Sequence, residues 1–132
     1  MTNHIPKGFS AVTPYLLLAD PVGFIEFAQK ALGATKRMAQ FDDDGRLVHA
    51  EIEVEGCPIE MGQPQGDFEP TRTALHVFVE DPDAVWEKAV EQGATPLYEV
   101  TDHPYGERSG GVADAWGNSW YLARVTDADA RG

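Results

Sequence analysis

Basic side chains are scarce in this sequence: 10 lysines and arginines stand against 22 acidic residues, for a formal net charge of −12. Such a field repels phosphate backbones, and no basic cluster offsets it, so no nucleic-acid partner is expected. The same field mildly favours a cationic small molecule, although solubility alone accounts for it. Cysteine occurs once, at Cys57. An internal disulfide is therefore excluded, and a reducing cytoplasm is the expected compartment. With no basic residue near it in sequence to activate the thiol, Cys57 reads as a small packed side chain. Long apolar runs are absent too. No stretch approaches the ~20 residues of a membrane-spanning helix, and residues 1–20 lack the basic start and apolar centre of a secretory signal. No membrane association is expected.

What is present is a repeat. Leu16–Asp20 and Pro21 lead through a helical run to Gly33-Ala34-Thr35, and Val77–Asp81 and Pro82 lead through another to Gly93-Ala94-Thr95. Asp20-Pro21 recurs as Asp81-Pro82 and Gly56 recurs as Gly117, both 61 residues later. A shared offset at distant points marks a duplicated module. In the first copy, Ala11–Leu18 reads as a strand. Asp20 caps a helix that starts on Pro21 and stops at Gly33. Lys36–Phe41, Leu47–Val54 and Cys57–Met61 follow as strands. Val48, Ala50, Ile52 and Val54 alternate with His49, Glu51 and Glu53, the pattern of a half-buried strand. Asp42-Asp43-Asp44-Gly45 suggests calcium, but an EF-hand needs ligands at alternate positions and a closing glutamate, so a hairpin turn is the better reading. In the second copy, Ala74–Glu80 is a strand, Asp81 and Pro82 open a helix ended by Gly93, and Leu97–Val100, Gly111–Ala113 and Trp120–Val125 are strands. His103–Gly106 reads as a solvated loop, and Asp127–Gly132 as a frayed tail.

The expected architecture is α+β, with two tandem βαβββ modules forming a curled eight-stranded mixed sheet and the helices outside. The modules cover about residues 9–62 and 73–126, joined by a linker at about 63–72 within one 132-residue domain. Each sheet must bury one face under its helix and leave the other open. Alternation assigns Thr13, Tyr15, Leu17, His49, Glu51 and Glu60 to the open face of the first module. The repeat adds Ala74, His76, Phe78 and Tyr121 from the second. Aromatic surface with a few polar groups is the composition of a small-molecule site. Glu60, on a largely apolar hairpin, is the best catalytic candidate.

Paired βαβββ modules with an Asp-Pro cap after each first strand resemble the vicinal oxygen chelate superfamily of glyoxalases, extradiol dioxygenases and bleomycin-resistance proteins. Tyr105-Gly106-Glu107-Arg108-Ser109-Gly110-Gly111-Val112, then Asp114-Ala115-Trp116-Gly117-Asn118, together with His49-Ala50-Glu51, look most like its PhnB-like branch. The resemblance spans about residues 10–125 and implies a homodimer. It also implies metal ligands at four symmetric points, which here are Thr13, Ala74, Glu60 and Tyr121. Of these only Glu60 is a carboxylate or imidazole, whereas a catalytic ion generally needs three protein ligands. No metal and no other cofactor are therefore expected; a divalent metal is the alternative, with His76 on the face of Ala74 and His49 and Glu51 on the neighbouring strand as further candidate ligands.

The resulting expectation is a metal-independent small-molecule binding protein of the glyoxalase/bleomycin-resistance type. Its ligand, cationic or aromatic and drug-like, would be held by Tyr15, His49, Glu51, Glu60, His76, Phe78 and Tyr121. The alternative is a metal-dependent lyase, isomerase or dioxygenase in which Glu60 works with His76 or His49.

Overall fold

The computed structural model describes residues 4–127 and 129. The part of the expected tail at residues 128 and 130–132 lies outside them. The chain divides into two compact units: one contains residues 4–29 and 33–71, the other residues 30–32 and 72 onwards. Among the described residues, the elements in chain order are β1 (Tyr15–Leu17), α1 (Pro21–Leu32), β2 (Thr35–Phe41), β3 (Leu47–Val54), β4 (Cys57–Gly62), β5 (Ala74–Phe78), α2 (Pro82–Glu91), β6 (Thr95–His103), β7 (Glu107–Ala113) and β8 (Ser119–Val125). The eight strands form two four-stranded sheets of matching order, β1-β4-β3-β2 and β5-β8-β7-β6. In each, the first strand runs parallel to the fourth and the remaining pairs are antiparallel, so both sheets are mixed.

The Asp-Pro signals act as read. The Asp20 carboxylate accepts from the Gly23 amide at 3.0 Å, and Asp81 accepts from Ala84 at 3.2 Å. Each satisfies one of the orphan donors of a helix start, while proline occupies a first-turn position that has no use for an N–H. Gly33 ends α1 at φ 67°, a left-handed conformation that glycine adopts without a Cβ clash. The apolar stripe of α1 is buried at Phe24, Phe27, Ala28, Ala31 and Leu32. In α2 the stripe is thinner: Pro82 and Ala89 are buried while Val85 and Trp86 remain half-exposed. Trp86 is nevertheless anchored, because its indole N–H donates to the carbonyls of Tyr98 and Gly111, both at 3.1 Å.

Burial alternates along the strands as a one-sided sheet requires. Leu16, Ala50, Ile52, Ile59 and Met61 are buried in the first sheet, and Val112, Trp120 and Leu122 in the second. Several boundaries differ from the sequence reading. β1 covers Tyr15–Leu17 only, because Pro14 has no N–H to offer a ladder, although its carbonyl still accepts from Glu60 at 3.0 Å. In β3, Leu47 is buried and Val48 is turned partly outward, where the register with β2 slips between Gln40 and Phe41. Cys57 is exposed, not packed. The Asp42 carboxylate accepts from the amides of Asp44 and Arg46 at 3.0 and 2.9 Å, an Asx turn that explains the aspartate run without calcium. The largest difference is the β6–β7 hairpin. Both strands extend to a tight turn at Pro104–Gly106, and Gly106 takes φ 81°. His103 therefore ends a strand opposite Glu107 and does not sit on a solvated loop.

Candidate functional site

The open face of the first sheet gathers an acid–imidazole cluster. Glu60 on β4 is the register partner of both Tyr15 on β1 and Glu51 on β3, so the three form a row across the sheet. His49 precedes Glu51 by two residues and shares its face. The His49 Nε2 atom lies 2.9 Å from Glu51 Oε2 and 3.5 Å from Glu60 Oε1, and Nδ1 lies 3.3 Å from the Tyr15 hydroxyl. The three side chains of the triad are 21–27% exposed, which leaves them reachable from one side. Partial burial raises the Tyr15 phenol above its ordinary range, and the Glu60 charge adds to the rise. A cavity of about 390 Å³ opens beside the cluster, walled by Glu51, Glu60 and Thr13 and by Pro6, Phe9, Ser10 and Ala11. A second, of about 210 Å³, lies against Tyr15, Leu17, Val48 and Phe68.

The open face of the second sheet is aromatic. Phe78 and His76 on β5 have ring centroids 4.7 Å apart, and His76 meets Tyr121 on β8 edge-on at 6.5 Å. Tyr121 stacks with Tyr98 at 6.4 Å, Tyr98 meets His103 at 6.0 Å, and His103 stacks on Tyr105 at 5.1 Å. Gly111 makes this possible: a Cβ there would stand 2.6 Å from the Tyr98 ring, so only a bare backbone lets that ring lie beside Tyr121. Beneath the rings is a carboxylate. Glu107 is 3% exposed; its Oε1 is 3.1 Å from His76 Nε2 and its Oε2 accepts from the Tyr105 hydroxyl at 3.3 Å. Desolvation raises the Tyr105 phenol above its ordinary range, and the charge of Glu107 adds to the rise. The Nε2 atom of His103 is buried and has no hydrogen-bond partner among the described residues.

The residues named from sequence thus fall into two groups. Tyr15, His49, Glu51 and Glu60 meet on one sheet; His76, Phe78 and Tyr121 meet on the other. Of the two imidazoles proposed to assist Glu60, His49 is beside it, whereas His76 is engaged by Glu107. Tyr98, His103 and Glu107 were not foreseen as site residues. The signal that could have found them is Gly106, three residues past His103, which marks a short hairpin and brings His103 opposite Glu107. The four points at which the resemblance implies metal ligands do not fit an ion as a set. Ala74 has no donor atom, and Thr13 offers only a neutral hydroxyl, which donates to the Ser10 carbonyl at 3.2 Å.

Arg108 lies outside both groups. Its guanidinium forks onto Asp83 at 2.8 and 2.9 Å and reaches Asp102 at 3.2 Å. These hydrogen bonds hold the Asp83 carboxyl below the usual carboxylate range. A depressed carboxyl contributes stability above its unfolded-state pKa and loses it as pH falls through the folded-state value. The partners are exposed and solvent-screened. Arg108→Gln is accordingly expected to leave the melting temperature at pH 7 within about 2 °C of wild type. It should also return the Asp83 carboxyl to its ordinary titration range, as read by carboxyl-carbon NMR.

With two βαβββ units and two open sheet faces established, comparison with known proteins defines the class. The sequence profile of the Glyoxalase/Bleomycin resistance protein/Dioxygenase superfamily matches residues 19–122, and the chain belongs to that superfamily. It is 32% identical over 125 residues to the uncharacterized protein Rv0887c of Mycobacterium tuberculosis, covering 86% of this chain and 74% of that one. Among solved structures, TioX from Micromonospora sp. ML1 aligns with a TM-score of 0.73 and 22% identity, over 90% of this chain and 98% of TioX. A PhnB protein from Bacillus cereus aligns with a TM-score of 0.67 and 16% identity, over 88% of this chain and the whole of that one. At these identities the two structures speak to the fold alone.

Proposed function

We propose that this is a small-molecule binding protein of the glyoxalase/bleomycin-resistance type, which takes a planar aromatic ligand against the second sheet without a metal. One observation carries the reading: six rings, from Phe78 through His76, Tyr121, Tyr98 and His103 to Tyr105, follow one another on that face. Phe78 and Tyr105 are each nearly half exposed, an arrangement that leaves apolar ring surface in contact with water until a ligand covers it. Ring-on-ring contacts contribute about 0.5–1.5 kcal/mol each beyond the area buried. His76, held from below by Glu107, offers a polar atom to orient the ligand, and the net charge of −12 favours ligands carrying a positive group.

The test is a thermal-shift and fluorescence titration in EDTA against planar quinones and cationic glycopeptides. At least one class is expected to bind with micromolar or tighter affinity. Tyr121→Ala and Phe78→Ala should each weaken it about tenfold, the equivalent of about 1.4 kcal/mol. A wild-type protein indifferent to the whole set, or one that binds only when metal is supplied, would remove this reading. The motifs around His49 and from Tyr105 to Asn118 support a place in the PhnB-like branch. We extend the proposal to a cytoplasmic homodimer, for which sedimentation at twice the 14.4 kDa chain mass is the check.

A further inference from the structure

We propose that His49, Glu51 and Glu60 form a binding site for one divalent transition-metal ion, displaced from the four points used by the metal enzymes of the superfamily. This is independent of the aromatic reading, since the ion binds with no organic ligand present. The site retains Glu60 and recruits two ligands from the adjoining strand β3 in place of residues that lack donors.

The geometry is the first argument. One ligand atom from each side chain can be chosen so that all three lie within 4.8 Å of one another. Nitrogen and oxygen ligands sit about 2.0–2.2 Å from zinc, which puts neighbouring ligand atoms about 3–3.5 Å apart. The His49 Nε2 contacts of 2.9 and 3.5 Å to the two carboxylates are already near that spacing. The backbone explains why: Glu51 and Glu60 are direct cross-strand partners, and His49 stands on the same face one pleat away.

Electrostatics is the second. Two carboxylates opposite each other on paired strands repel, in a chain whose net charge is already −12. A divalent ion balances both charges and takes the imidazole as a neutral donor. The third argument lies outside the triad. Tyr15, on β1, places its hydroxyl 3.3 Å from His49 Nδ1, the type of outer contact that fixes which ring nitrogen is presented to an ion. The cavity of about 390 Å³ beside Glu51 and Glu60 leaves space for further ligands on the ion's open side. One imidazole and two carboxylates suit zinc, manganese or iron(II) better than soft or purely oxygen-seeking ions.

The experiment is calorimetric titration of EDTA-treated, dialysed protein with zinc and manganese chlorides, with proton NMR of the four histidines during the zinc titration. The expected result is one ion per chain at micromolar or tighter affinity for at least one metal, with the His49 ring signals moving and those of His4, His76 and His103 unmoved. His49→Ala and Glu60→Gln should each weaken binding at least tenfold, whereas Asp43→Asn in the acidic turn should leave it unchanged. Circular dichroism establishes that the variants are folded, and the wild-type NMR titration decides the matter if one is not. Absence of binding up to millimolar metal overturns the proposal. So does binding that survives His49→Ala, or a titration in which another histidine moves instead.

Discussion

Replacing Asp114 by alanine is expected to lower stability by about 3–5 kcal/mol, the range for breaking a buried hydrogen-bond network. For a chain of this length that corresponds to a fall in melting temperature of about 10–20 °C. Asp114 is 7% exposed and holds the Ala115–Asn118 turn from inside. Its Oδ1 atom accepts from the amides of Trp116 and Asn118, each at 2.9 Å. Its Oδ2 accepts from the Asn118 side chain at 3.0 Å and from the Trp120 indole at 2.9 Å. Asn118 and Trp120 are fully buried, so truncation strands their donors without water to replace the carboxylate. Asn118 in turn accepts from the Thr73 amide at 3.1 Å, which couples the turn to the start of β5. Asp114→Asn keeps the shape but turns one acceptor into a donor, and should lose about half as much. Urea and thermal denaturation measure both; a loss under about 1 kcal/mol for the alanine variant would mean that the network is not cooperative.

The second large effect is expected from adding one carbon atom. Gly110→Ala should cost about 2–3 kcal/mol through overpacking. A Cβ at this position would stand 2.6 Å from Val100 Cγ2 and 2.9 Å from both the Val100 amide nitrogen and Trp86 Cδ1. The side chains could give way, but the Val100 nitrogen is backbone. Register explains the crowding: Tyr98 faces Gly111 and Thr101 faces Ser109, so two residues of β6 oppose Gly110 alone. The bulge folds Val100 over the glycine, and Trp86 covers the same spot from α2. Denaturant titration should show a lowered midpoint with an unchanged slope. Gly45→Ala is a useful contrast, because a Cβ there meets nothing within 4 Å and its effect comes only from the strained φ of 80°.

The helices were legible because Asp20-Pro21 and Asp81-Pro82 act through neighbours a few residues away, within reach of sequence. β3 and β4 were legible for a similar reason, as alternation over Ala50–Val54 reports burial directly. The β6–β7 hairpin was not. Glu107-Arg108-Ser109-Gly110-Gly111 has weak strand propensity, and its pairing is set by cross-strand contacts that sequence does not display. Glu107 is buried because His76 and Tyr105 cover it, and they come from different elements. The same limit separated the candidate site into its parts. The open-face assignment of His49, Glu51 and Glu60 came from periodicity, but their convergence to hydrogen-bonding distance depends on the β3–β4 register. The aromatic run needed Gly111, whose role is visible only once Tyr98 is seen beside it.

The segment after β4 returns to the first sheet. The Thr71 amide donates to the Leu17 carbonyl at 2.9 Å, and the Leu17 amide donates to the Thr71 hydroxyl at 3.1 Å. β1 is an outer strand of its sheet, where exposed backbone groups invite another chain to add on. With only three residues in the strand and Leu17 already engaged on both its amide and its carbonyl, little template is left for runaway ladder growth. The segment thereby shields this one edge from strand addition as well as joining the two units.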